Sequence, residues 1–109
     1  MPKASKIRQP PELARQPWTM TPEQSRAARG WLGWVQTDLA KAATVSLRTV
    51  AAFERGEIAP LPNNLSAMQR AFEKGGVRLL FDREGAAAGV ARQAADIELI
   101  PASGDPQMW

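Results

Sequence analysis

QTDLAKAATVSLRTVAAFER, running from Gln36 to Arg55, is the stretch whose reading decides the fold. Leu39, Ala40 and Ala43 stand at i, i+1 and i+4, the apolar stripe of a short helix. Thr44 and Val45 interrupt that stripe, and Ser46 then opens a second helix whose apolar face is Val50 and Phe53. The small side chain of Ala40 lets two short helices cross steeply with their backbones close together. Spacing alone leaves two readings of such a unit. One is an αα-hairpin in a generic helical domain; the other is the helix-turn-helix that lays its second helix in the major groove of DNA.

Working outward, Thr21 has the chemistry of an N-cap, with Pro22 at the first helical position and Glu23 in the first turn. TPEQSRAARGWLG is therefore expected to be a first helix that turns Ala28, Trp31 and Leu32 to the core and ends near Gly33. Gly30 inside it costs about 1 kcal/mol against Ala. Gly56, after Glu54 and Arg55, is a C-cap signal for the second helix of the pair. Ile58 to Pro62 is a Pro-punctuated loop. Asn63 or Asn64 is expected to cap a further helix through Lys74, with Leu65, Met68, Ala71 and Phe72 at helical spacing and Gly75-Gly76 closing it. From Val77 the period changes to two: Val77, Leu79 and Phe81 alternate with Arg78, Leu80 and Asp82, the pattern of a β-strand. A turn within Asp82–Gly89 leads to a weak second strand at Val90–Arg92.

The fold class expected is mainly α, a small domain of four to five helices with a C-terminal β-strand or hairpin. The chain divides into an arm at residues 1–18, a helical domain at 19–76, a strand or hairpin at 77–93 and a loosely ordered tail at 94–109. Residues 1–18 contain four prolines and little that can bury a core, which suggests a flexible basic arm. Lys3, Lys6, Arg8 and Arg15 against Glu12 give it a net charge of +3. The segment 19–76 carries +2 and the segment 77–109 carries −2, so positive potential collects on the arm and helices, where a phosphate backbone would be met. Trp109, at the end of the tail, has no assignable role.

Composition excludes whole classes of function. The 109 residues contain no Cys and no His, which removes thiolate and imidazole catalysis, Ser-His-Asp triads and the usual zinc sites. No Gly-rich phosphate loop appears. No apolar run approaches the roughly 20 residues of a membrane span, and the Pro- and Gln-interrupted start lacks a signal-peptide core. The expectation is a soluble, cytoplasmic, non-enzymatic protein of one domain, with no metal or cofactor and no membrane partner.

The segment from Thr21 to Phe81 resembles the Cro/repressor-type helix-turn-helix regulators, also called XRE-type. RAARGWLGWVQTDLA is similar to that family's first helix and the Gln opening its second. VSLRTVAAFERGE is similar to its recognition helix, and the helix from Asn63 with GGVRLLF is similar to the elements that follow. The resemblance implies double-stranded DNA as partner, a homodimer, and a set of DNA-facing residues. Gln36 and Thr37 stand at the start of the second helix; Ser46, Leu47, Arg48, Thr49, Ala51, Ala52 and Arg55 stand on the recognition helix. Arg48 is the strongest base reader, able to donate bidentately to guanine for about 1–3 kcal/mol of discrimination. Arg29 and Glu54 match an ion pair tying the first helix to the third. Val77, Leu79 and Phe81 are the expected dimer contact, through a strand edge able to pair with its copy.

Three positions depart from the family pattern. Val35 stands where an N-cap Ser or Thr is preferred, forfeiting about 1 kcal/mol. Thr44 stands where the turn prefers Gly, because β-branched residues tolerate positive φ poorly. Ala51 and Ala52 replace long polar residues, which leaves base readout to Arg48, Thr49 and Arg55. A second function stays open on the same fold: a module that binds another protein, as an antiactivator or an antitoxin does. Ala51, Ala52, Trp31 and Trp34 support it if they form an exposed apolar surface; for the two tryptophans, core packing is the competing use.

Overall fold

The computed structural model describes residues 16–93, which form four helices and a two-stranded antiparallel hairpin. The helices are α1 (Pro22–Leu32), α2 (Gln36–Ala43), α3 (Leu47–Glu54) and α4 (Pro62–Gly75); the strands are β1 (Val77–Phe81) and β2 (Ala87–Arg92). The fold is thus mainly helical, with the C-terminal hairpin anticipated from the change of period. The tail at 94–109 with Trp109, and residues 1–15 of the basic arm, lie outside the described residues.

Each short helix is made by its ends. The Thr21 hydroxyl accepts the Gln24 N–H at 3.1 Å while the Gln24 side chain accepts the Thr21 N–H at 3.2 Å, a reciprocal capping box with Pro22 at N1. The Ser46 hydroxyl accepts the Thr49 N–H at 3.0 Å and starts α3. Val35 cannot cap α2 with its own side chain, and Asp38 compensates by accepting the Val35 N–H at 2.9 Å. At their C-termini α1, α2 and α3 close with the same pair of backbone bonds, a 6→1 and a 5→2. These are Trp34 N–H to Arg29 and Gly33 to Gly30; Val45 to Ala40 and Thr44 to Lys41; Glu57 to Ala52 and Gly56 to Phe53. This motif needs a left-handed residue after the helix. Gly33 and Gly56 supply it at φ 71° and 78°, and Thr44 supplies it at φ 58° despite its branched Cβ.

Ala28, Leu39, Ala40, Ala43, Val50, Phe53, Met68, Ala71 and Phe72 form one core that Val77 and Leu79 join from β1. Trp34 is a core anchor, its ring 5.8 Å from that of Phe72 and nearly parallel to it. The structure corrects four local expectations. Trp31 points to solvent: the inner face of α1 runs through Gln24, Ser25, Ala28 and Leu32, and Trp31 stands about 75° from the centre of that face. Helix α4 begins at Pro62 rather than Asn63, with proline in its favoured N1 place. Strand β2 begins at Ala87, three residues before Val90, and pairs across a bulge at Leu80/Phe81. Residues 16–18 are not part of a free arm: the Trp18 N–H donates to the Gly85 carbonyl at 2.8 Å and its ring lies 5.7 Å from Phe81. Gly85 admits this contact because a Cβ there would sit 2.6 Å from Pro17.

The hairpin is bolted to the helices through α1. Gln24, 2% exposed, donates its amide to the carbonyls of Leu80 and Gly89 at 2.9 and 3.1 Å. Both strands therefore lie across α1, and α4 packs along β1.

Candidate nucleic-acid interface

The polar contacts that hold α3 converge on one buried carboxylate. Glu54, the last residue of α3, is 4% exposed. Arg29 on α1 approaches it as a fork, Nη2 donating to Oε1 at 2.7 Å and Nε to Oε2 at 3.0 Å. Ser25, one turn earlier on α1, donates its hydroxyl to Oε2 at 2.5 Å, and Gln36 at the start of α2 donates its amide to Oε1 at 3.0 Å. Arg26 donates to the Glu54 backbone carbonyl, an orphan acceptor at the end of the helix, and Arg29 also donates to the Trp34 carbonyl at 3.1 Å. One anion thus ties α1, α2 and α3 together. Burial pushes the Glu54 carboxyl up, but the bonds from Arg29, Ser25 and Gln36 outweigh it and hold the group below the usual carboxylate range. The bond to Glu54 raises the Arg29 guanidinium in turn, against its own burial.

With its inner end fixed, α3 presents its N-terminal turn outward. Ser46, Leu47 and Arg48 are exposed, and Leu47 remains 47% exposed despite its apolar side chain. Thr37 on the first turn of α2 is exposed as well. Thr49 is half-buried, and its Oγ1 accepts the Ser46 hydroxyl at 2.9 Å, so its oxygen is occupied within the cap.

Four candidates sit differently from the expectation. Ala52 is buried although it stands one turn on from Arg48 on the same side of α3, and it is not part of the core that Val50 and Phe53 join. Ala51 is half-buried, so no pair of alanines faces out. Gln36 spends one amide hydrogen on Glu54 and keeps its other hydrogen and its oxygen for a partner outside. Arg55 is exposed but forms a bidentate pair with Glu57 at 2.8 and 2.9 Å; its guanidinium is raised and the Glu57 carboxyl lowered by that bond. Such an exposed pair is weakly held and easily exchanged for a phosphate.

Val77 and Leu79 are 0% and 8% exposed, packed under the chain's own α1 and α4, and Phe81 rests on Trp18. The apolar face expected to be left for a dimer is consumed within the chain. Ser25 and Arg26 were missed in the sequence, although Ser25 and Arg29 at i and i+4 on one face of α1 were a signal for a shared partner.

Among the described residues no helix is long and apolar enough to cross a membrane. Residues 26–77 match the family model described as Helix-turn-helix, a span that runs from Arg26 on α1 through the whole of α4 to the first residue of β1. None of the curated proteins compared with the chain matches it.

Proposed function

We propose that this chain, which belongs through residues 26–77 to the Cro/repressor-type helix-turn-helix family of DNA-binding regulators, regulates transcription by placing the segment Ser46–Arg55 in the major groove of a specific site, two copies reading two half-sites. The observation that carries this reading is the contrast between the two ends of α3. Its C-terminal end is clamped by a buried, fully hydrogen-bonded carboxylate, and its N-terminal end offers Ser46, Leu47 and Arg48 to solvent. A helix held rigidly by its inner face can aim a guanidinium at a base edge with little entropy lost on binding.

In this reading Arg48 is the base reader and Leu47 packs on a thymine methyl. Ser46, Thr37 and the free half of the Gln36 amide meet phosphates, which position the helix without specifying sequence. Arg55 joins them by releasing Glu57. Base contacts from so few side chains leave part of the specificity to DNA shape. One recognition helix buries too little surface for tight binding, and a two-fold pair on a palindrome doubles it. Regulation of its own gene is the role we assign. An electrophoretic shift on the promoter of that gene, at several salt concentrations, tests the reading: log affinity should fall linearly with log salt. A shift no stronger than on random DNA would refute sequence-specific binding.

A second reading rests on two exposed apolar residues, Trp31 at 56% and Val35 at 60%. They flank the α1–α2 junction and would suit a protein partner on the same fold. The burial of Ala52 and the packing of Trp34 on Phe72 remove two of the residues that argued for it.

A further inference from the structure

We propose that the outer edge of β2 is where a second copy of this chain pairs, strand against antiparallel strand, to make the dimer on which the function above rests. The phase of the hairpin ladder assigns the edge. The Gln93 N–H donates to the Gly76 carbonyl at 2.8 Å, which makes Gly76 and Gln93 a hydrogen-bonded pair. Continuing the printed register, Arg78/Ala91 and Leu80/Gly89 are bonded pairs, and Val77/Arg92 and Leu79/Val90 are the non-bonded pairs between them. Residues of non-bonded pairs turn both N–H and C=O away from the hairpin. Beyond the bulge, the Asp82 N–H donates to the Ala86 carbonyl at 2.8 Å, so Phe81/Ala87 is again a non-bonded pair.

Each strand thus has one outward row of backbone groups, and their surroundings differ. On β1 the row belongs to Val77, Leu79 and Phe81. As whole residues, backbone included, Val77 and Leu79 are 0% and 8% exposed, so that edge is closed by the chain itself. On β2 the row belongs to Ala87, Val90 and Arg92. Ala87 and Arg92 are exposed, Val90 is half-buried, and none of the three has a backbone partner beyond the hairpin among the described residues. Exposed edges are ordinarily blunted by Lys, Pro or an inward charge. The run AAGVAR has none of these before its last residue.

Charge selects the occupant and the direction. The turn end of β2 carries Asp82, Arg83 and Glu84, a net −1, and the far end carries Arg92. Antiparallel pairing of two copies sets each Arg92 near the acidic turn of the other; parallel pairing would stack like charges. A shallow groove of about 370 Å³ between α1 and β2, floored by Ala27, Ala88 and Gly89, runs beside the edge and has room for side chains of the second copy.

Sedimentation velocity on the full chain over the micromolar range tests this with three variants. Arg92→Pro and Ala87→Pro each remove an outward N–H and no hairpin bond; Arg92→Ala removes only the charge. We expect a wild-type dimer. Each Pro variant, losing one bond per copy, should dimerise about tenfold or more weakly while melting, once diluted to the monomer, at the temperature of the wild-type monomer, with Arg92→Ala much closer to wild type. In the wild type the amides of Val90 and Arg92 should exchange slowly at dimer concentrations and speed up on dilution, a readout that needs no variant to fold. A monomeric wild type, a Pro variant that dimerises undiminished, or outward amides that exchange fast at every concentration would overturn the proposal. A wild-type monomer that still shifts its promoter would refute this interface and leave the DNA-binding reading standing, whereas a β2-paired dimer that shifts no DNA would do the reverse.

Discussion

Replacing Arg29 with Ala should nearly unfold the domain, and the cause is the anion it leaves behind. In the wild type the Glu54 carboxylate receives the Arg29 fork and single bonds from Ser25 and Gln36 at 4% exposure. Arg29→Ala removes the only opposite charge on it among the described residues and leaves two neutral donors. Breaking a buried pair from one side costs about 3–5 kcal/mol. Total stability at this chain length is about 5–15 kcal/mol, so the loss would lower the melting temperature by about 12–40 °C at about 4–8 °C per kcal/mol. Glu54→Ala should cost less, because the Arg29 side chain it orphans is 18% exposed and can turn to water. Urea titrations followed by helical circular dichroism measure both variants, and the double variant closes a cycle whose coupling should be at least about 1 kcal/mol. The reasoning also fixes a pH dependence. The folded state holds Glu54 below its unfolded value of about 4.3. Its contribution is therefore complete above that value and is lost as pH falls through the lower folded one. Wild-type stability should show that fall, and Glu54→Gln should be flatter across the same window. An Arg29→Ala penalty below about 1 kcal/mol, the scale of surface pairs, would show that water reaches Glu54 and that the hub does not hold α3.

Arg48→Ala should weaken binding to the cognate site by about 1–3 kcal/mol and leave melting unchanged; equal affinity in a fluorescence titration would remove Arg48 from the base contacts. Thr44→Gly should stabilise by about 1 kcal/mol, since Thr44 holds a left-handed φ of 58° in a motif where Gly33 and Gly56 sit unstrained. A destabilised Thr44→Gly would mean that the glycine's added freedom in the unfolded chain outweighs the relieved strain. Deleting residues 1–15, with Lys3, Lys6, Arg8 and Arg15, should reduce the salt slope of DNA binding by roughly 2–4 at about 0.9 per phosphate. An unchanged slope would show that these cations meet no phosphate.

The parts of this fold that were legible in the sequence are those whose cause is local. Thr21-Pro22 and Ser46 announce helix starts because a cap acts within three residues. Val77, Leu79 and Phe81 announce a strand because alternation needs no partner to be seen. Strand β2 was read short because Ala87, Ala88 and Gly89 have no contrast between faces, so period two leaves no trace in them. Hydrophobic character alone sends Trp31 inward, a fraction of a helical turn from its place, and family analogy sends Ala52 outward, on the side of Arg48, where the fold nonetheless covers it. The hub was half legible. Arg29 and Glu54 carry opposite charge, but only the folded chain brings Ser25 and Gln36 to the same two oxygens across separations of 29 and 18 residues.

The edge expected to pair shows most plainly what a pattern can carry. Alternation in VRLLF correctly marks an apolar face, and an apolar face is a demand for cover without an address. The chain met that demand itself with α1 and α4, which closes β1 to a partner. The strand with almost no pattern, AAGVAR, escapes burial because it has little to bury, and so it keeps its backbone edge open. Weak hydrophobic signal and free hydrogen-bonding capacity are thus two consequences of the same small side chains. In a sheet of two strands, the one that the core does not need is the one left for an encounter with another molecule.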